Sequence, residues 1–241
     1  DRLNLEVWTD GAVAPVDAQG KPETAKALSE TDRKLVIDGL LEACDALDGA
    51  KDGLVFAPQG CSFDPKALVC KGEKAEGCLS AAQAEAISKG LAGPKTASGQ
   101  QVYPGFMYDT GLATSRGLPG LLVGPVIPEG APGSSAPMDV EASAAIAHDA
   151  RAMVGDTNAW TNLSTFRGHG GKLIFFHGVS DPWFSALDTT EYYQRLEKDN
   201  QPAKTADWSR LFLVPGMGHC GGGERTLDRF NWRWAASPKP G

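Results

Sequence analysis

Two loops of this 241-residue chain carry a histidine and an aspartate, residue types that can pass a proton between them. The segment LFLVPGMGHCGGG, residues 211–223, is an apolar run that leads into a glycine-rich loop carrying His219. The segment KLIFFHGVSDPW, residues 172–183, is a second apolar run, and the turn after it carries Asp181. In open α/β sheets the reactive groups sit in loops beyond the carboxyl ends of the strands. Asp181 stands five residues after Phe176, and His219 five after Val214. The 38 positions from Asp181 to His219 accommodate one helix and one strand, so the loops are expected side by side. A carboxylate beside an imidazole fixes its tautomer and stabilises its charged form, which suits the ring to act as a general base. Singly, an Asp-Pro after a strand is an ordinary turn, and a His before Cys-Gly-Gly is an ordinary loop residue. On consecutive strands they predict the last two members of a Ser–Asp–His triad in the chain order of α/β hydrolases. The first member is not legible. No GxSxG occurs, and Ser180, Ser134 and Ser135 lack the strand–elbow–helix setting of an activated serine. His148 and His169 have no comparable context, and His177, at a strand end, is expected to pack or to support the pair.

A second group of chemically capable residues lies in CDALDGAKDGL, residues 44–54. Asp45, Asp48 and Asp52 are three carboxylates in one turn, with glycines at 49 and 53. Hard cations such as Ca²⁺ take oxygens from carboxylates and backbone carbonyls. Asp48, Ala50, Asp52 and Leu54 alternate like the first four ligand positions of an EF-hand loop, and Gly53 falls at its turn position. Gln59 stands where that loop needs its closing carboxylate, so this is not an EF-hand. Two readings fit the spacing: a calcium loop in which Asp45 and the carbonyls of Ala50 and Leu54 complete the shell, or a solvated acidic turn.

The five cysteines are Cys44, Cys61, Cys70, Cys78 and Cys220. No CxxC pair occurs and no histidine lies near the first four, which argues against zinc. Four cysteines between residues 44 and 78 predict two local disulfides rather than buried thiols, and hence an oxidising compartment. Cys220 is then the odd one, expected to find its partner in another chain or another segment.

These groups need elements to position them. SETDRKLVIDGLLEACDALDG predicts a helix capped by Ser29 or Thr31, with apolar residues from Leu35 to Leu47 at helical spacing. CLSAAQAEAISKGLAGP predicts another, with Ser80 and Gln83 at capping-box spacing and an end at Gly93-Pro94. Residues 95–138 read as irregular with a short hairpin near GQQVYPG, and a third helix is expected over about 139–154. Beyond residue 160 the pattern becomes strand, loop, helix from about Ala186 to Asp199, strand, loop, a βαβ unit with buried parallel strands. The fold class is therefore α/β.

Net charge is −7 and the sequence pI about 5.1. That argues against nucleic acid or an anionic membrane surface as partner, because both need clustered Lys and Arg. No apolar run approaches the roughly 18 residues that span a bilayer. Asp1 is not an initiator residue, so a preceding segment is expected to have been removed.

Taken in order, CDALDGAKDGLVFAPQGCSFDPKALVC, CLSAAQAEAI, GPKTASGQQVYPG, GGKLIFFHGVSDPWFS and LFLVPGMGHCGGG resemble the tannase and feruloyl esterase family, over about residues 30–225. The resemblance implies the C-terminal portion of an α/β-hydrolase with a large inserted lid. The lid would be residues 1–160, and residues 161–241 the end of the hydrolase sheet. It implies triad roles for Asp181 and His219, and a structural Ca²⁺ at Asp45, Asp48, Ala50, Asp52 and Leu54. It implies disulfides Cys44–Cys61 and Cys70–Cys78. It implies a bond from Cys220 to a cysteine just before the nucleophilic serine, in a segment that precedes this sequence or forms a separate chain. The activity implied is serine carboxylesterase action on small aromatic acid esters such as feruloyl, galloyl or terephthalate esters, by a secreted or periplasmic protein. Tyr103, Phe106 and Tyr108 become candidates for stacking on the acyl ring, against the alternative that they simply pack. The segment FNWRWAASPKPG departs from the family's usual closing helix. The competing expectations are a catalytically inactive, calcium-stabilised binding or structural fragment, and a peptidase of the same fold class.

Overall fold

A computed structural model describes residues 12–20, 22–113, 141, 145, 149, 151, 154 and 156–219. The expected helix over 139–154 falls almost wholly outside them, as do Ser134, Ser135, His148, Cys220 and the segment FNWRWAASPKPG.

In the first part, helix α1 spans Glu30–Cys44 and helix α2 spans Ala81–Ala92. Both begin with a reciprocal cap. Ser29 Oγ accepts from Asp32 N–H at 3.0 Å while Asp32 accepts from Ser29 N–H at 3.1 Å. Ser80 Oγ and the Gln83 side chain do the same for α2 at 3.0 and 2.9 Å. The two caps are joined, because Gln83 Nε2 donates to Asp32 at 3.2 Å and to the Ala27 carbonyl at 3.0 Å. Lys74 Nζ lies 2.7 Å from the same Asp32 carboxylate. Burial pushes the Asp32 carboxyl up, but the Lys74 and Ser29 bonds outweigh it and hold it below the usual range. A helix cap thus becomes a tertiary contact. Beneath it, Val36, Ile37, Leu40 and Cys44 of α1 meet Ala84, Ile87 and Leu91 of α2 in one core that also takes Val55, Phe63, Leu79 and Phe106.

Disulfides Cys44–Cys61 and Cys70–Cys78 lie within this part. The first ties the end of α1, where Cys44 is buried, to the loop that follows the acidic turn. The hairpin near residue 100 is present as a bridge between Lys95 and Gln101.

In the second part, strand β1, Leu173–Gly178, pairs in parallel with strand β2, Ser209–Val214, with Leu173 opposite Ser209 and Gly178 opposite Val214. Helix α3, Ala186–Asp199, connects them, started by Ser185 Oγ accepting from Leu187 N–H. Its Tyr192 and Tyr193 rings pack on Phe175 at 5.8 and 5.7 Å between centroids. The other face of the pair differs from the expected doubly buried strands. Ile174, Phe176 and Phe212 are more than half exposed there among the described residues. The apolar run fits a sheet covered twice, yet α3 covers one face only.

Removing the Cys44–Cys61 bridge as Cys44→Ala/Cys61→Ala should cost about 3 kcal/mol by urea denaturation, the loop-closure value for a 17-residue separation. Removing Cys70–Cys78, which closes 8 residues, should cost less.

Candidate active site

The register of the two strands brings both of their carboxyl-end loops to one edge. Because Gly178 lies opposite Val214, the loop after β1 and the loop after β2 leave the sheet together. Backbone bonds stitch them: Val179 N–H donates to the Val214 carbonyl and Ser180 N–H to the Met217 carbonyl, each at 3.0 Å. The approach is close enough to require glycine. A Cβ on Gly178 would lie 2.2 Å from the Met217 carbonyl oxygen.

Asp181 sits in the first loop with 5% of its surface exposed. Its Oδ1 accepts from the N–H groups of Trp183 at 2.8 Å and Phe184 at 3.1 Å, a tight turn that aims the carboxylate. Its Oδ2 lies 2.9 Å from His219 Nδ1 and 3.6 Å from His177 Nε2. Burial pushes the Asp181 carboxyl up, but the two imidazoles and the two N–H groups outweigh it and hold it at about 2. It is therefore a carboxylate at neutral pH. The nearby Asp181 carboxylate raises His177 above its ordinary value against the opposing effect of burial. The His177 ring is also pinned by the Phe184 carbonyl at Nε2, 3.0 Å, and by Thr189 Oγ1 at Nδ1, 2.7 Å.

His219 is roughly one third exposed. Trp183 and Phe184 flank its ring at 4.6 and 5.3 Å between centroids, with interplanar angles of 39° and 42°. An imidazole held by a carboxylate at Nδ1 exchanges protons through Nε2. The arrangement can accept a proton from an attacking hydroxyl and return it to a leaving group.

The structure thus brings Asp181 and His219 together, and it places the three aromatic candidates of the first part as follows. Phe106 is buried in the core, Tyr108 stacks edge-on against Phe63 at 5.3 Å, and the Tyr103 hydroxyl accepts from Ser185 N–H at 3.0 Å. Sequence reading missed Trp183 and Phe184 as the rings beside His219. The signal was in SDPWFS: a carboxylate that caps the two following N–H groups fixes where their side chains point. It also missed Asp109, which reaches this edge from the first part of the chain. A cavity of about 10 Å³ beneath Asp181 is closed by Phe106, Met107, Asp109 and Val179, too small for any substrate. A larger one of about 330 Å³, lined by Arg167, Lys172, Lys204 and Trp208, lies at the opposite, amino ends of the strands.

The acidic loop supplies only oxygen donors, the kind a hard cation takes. Its carboxylates first order the loop itself. Asp45 accepts from the N–H of Asp52 and Gly53, Asp48 from Ala50 and Phe56, and Asp52 from Leu54, all within 3.3 Å. Each carboxylate keeps further lone pairs, so the donor set fits such an ion in kind. Among the described residues no three acidic, His or Cys side chains are gathered closely enough to hold a metal.

The sequence pattern described as tannase and feruloyl esterase matches residues 10–125 and 134–231. The mono(2-hydroxyethyl) terephthalate hydrolase of Piscinibacter sakaiensis is 33% identical, over 93% of this chain and 46% of its own length. A probable feruloyl esterase B-2 of Aspergillus terreus is 30% identical, over 85% of this chain and 41% of its own. The crystal structure of feruloyl esterase B from Aspergillus oryzae superposes with a TM-score of 0.63 at 23% identity, over 92% of this chain and 46% of that one. The chain spans less than half the length of these relatives.

Asp181→Asn tests the electrostatics of the pair. A carboxyl held at about 2 in the folded state, against an ordinary 3.8, contributes stability above pH 4 that is lost as pH falls toward 2. The variant should be less stable by about 2 kcal/mol at pH 7, with the difference from wild type gone near pH 2 in urea titrations. Parallel pH profiles for both proteins would contradict this account.

Proposed function

The chain belongs to the tannase and feruloyl esterase family, of α/β-hydrolase fold, and on that premise we propose that it is the Asp–His portion of a serine carboxylesterase for aromatic acid esters. The observation that carries this reading is the 2.9 Å bond from His219 Nδ1 to a buried carboxylate at the carboxyl ends of adjacent parallel strands. A serine hydroxyl supplied from outside this chain attacks the ester carbonyl. His219 Nε2 takes its proton and returns it to the departing alkoxide. A water then attacks the acyl-serine carbonyl as the same nitrogen takes its proton, and that proton passes to the departing serine oxygen, releasing the acid and restoring the serine and the neutral imidazole. Asp181 keeps the Nδ1–H tautomer and balances the positive charge that develops on the ring. The names of the relatives support an aromatic acyl group, and Trp183 and Phe184 offer ring surface beside the base. Residues 1–160 serve as the lid over this site. Cys220 pairs with a cysteine beside the nucleophile, which would tie base to serine. The two internal disulfides support secretion or a periplasmic location, and among the described residues no helix is long and apolar enough to cross a membrane.

The test is turnover of methyl ferulate and of mono(2-hydroxyethyl) terephthalate. The 241-residue chain alone should show none, and the longer protein containing it should hydrolyse at least one. In that longer protein His219→Ala should lower kcat by at least about 10³-fold. Full activity in the His219→Ala protein would end the esterase reading, and a longer protein inert on aromatic esters would favour the binding-fragment alternative.

The same reading makes the acidic loop a structural calcium site, with Asp45, Asp48 and Asp52 and the carbonyls of Ala50 and Leu54 as ligands. Calcium at a hundredfold excess over its Kd should add about 2.7 kcal/mol of stability. Chelation should lower Tm by several degrees, and Asp48→Ala should abolish the response to calcium. A Tm indifferent to chelator would refute the site.

A further inference from the structure

Asp109 is 1% exposed and lies on neither strand of the sheet. It enters from the first part of the chain, 71 residues before Ser180 and 107 before Gly216. Those two positions belong to the loops of the proton relay: Ser180 immediately precedes Asp181, and Gly216 stands three residues before His219. A single oxygen of Asp109, Oδ2, accepts from both, from the Ser180 hydroxyl and from Gly216 N–H at 2.6 Å. Ser180 is gripped from its other side as well, since its Oγ accepts from Gly111 N–H at 2.9 Å. That approach needs glycine, because a Cβ at 111 would lie 2.5 Å from Ser180 Oγ.

Burying a carboxylate is expensive, and a buried ionic group is weak evidence of a contribution to stability. Burial pushes this one up against the lowering effect of the Ser180 and Gly216 bonds. An acceptor placed at such cost between the Asp181 loop and the His219 loop has a geometric use. We propose that Asp109 is a positioning residue whose Oδ2 clamps the loop of Asp181 to the loop of His219 and so sets the alignment of the catalytic pair. It touches neither substrate nor the reacting atoms; it acts through Ser180 and Gly216. The proposal rests on the reading of His219 as the general base. It also means that the part of the chain carrying the acidic loop and disulfides contributes directly to the relay.

The experiment is the imidazole ¹⁵N spectrum of His219 in the 241-residue chain at a pH where the ring is neutral. The spectrum reports which nitrogen carries the proton, which the hydrogen bond at the other nitrogen decides. The wild-type protein should show the Nδ1–H form imposed by Asp181. Asp109→Ala should shift the ring toward the Nε2–H form while the far-ultraviolet circular dichroism stays native. Asp109→Asn should keep the wild-type tautomer, because its one carbonyl oxygen can take the place of Oδ2 and accept both bonds. Should Asp109→Ala not fold, Ser180→Ala removes one arm of the clamp and should move the tautomer in the same direction. A wild-type tautomer in the folded Asp109→Ala protein, or in Ser180→Ala where that is the variant read, overturns the proposal. So does an Asn variant altered as much as the Ala variant. Asp181→Asn separates the two ideas: if it leaves the His219 tautomer unchanged, the Asp–His pairing itself fails, and the clamp with it.

Discussion

Asp181 Oδ2 faces two imidazoles while Oδ1 accepts two backbone N–H groups, and the rest of this edge of the protein is arranged around that carboxylate. A buried carboxylate is tolerable only when its charge is met by donors. Here three hydrogen bonds meet it, with the His177 ring 3.6 Å away, and the consequence is a group that stays ionised far below neutrality. The two N–H groups come from the next turn of its own loop. Satisfying the charge therefore also determines where Trp183 and Phe184 are thrown, which is against the ring of His219. One electrostatic requirement sets the orientation of the His219 ring and of the aromatic side chains beside it.

His177 gives this carboxylate a second imidazole at longer range. It is anchored on both nitrogens, by Thr189 and by the Phe184 carbonyl, so it cannot swing to replace His219. Its position at the end of β1 follows from strand register. The two histidines differ in exposure: the His177 side chain is the more buried, that of His219 the more open to solvent.

The first part of the chain joins helix caps and short disulfide loops to an apolar core. The Ser29–Asp32 and Ser80–Gln83 boxes are local devices, yet the Gln83–Asp32 bond turns them into a tie between helices. The same part of the chain carries residues 109–111 to the sheet edge, where Asp109 and Gly111 bond Ser180.

Much of this was legible in the sequence, for physical reasons that are local. The caps at Ser29 and Ser80 need only three-residue spacing, and helix α3 needs only its flanking turn and apolar stripe. Asp181 and His219 were legible because each follows its own apolar run by the same interval, and strands of equal length end together. The oxygen donors of residues 45–54 were visible as a set, although the sequence does not say how far they converge. Tertiary structure alone decided that one face of the strand pair stays open among the described residues, since a run apolar on both sides does not say which side α3 will cover. It alone packed Phe106 and Tyr108 against the core of the first part and Trp183 and Phe184 against the His219 ring, because an aromatic residue packs equally well in either place until its neighbours are known. It alone brought Asp109 to Ser180 and Gly216. A bond across 107 residues has no periodicity, no motif and no local propensity to announce it; only the closing of the chain creates it.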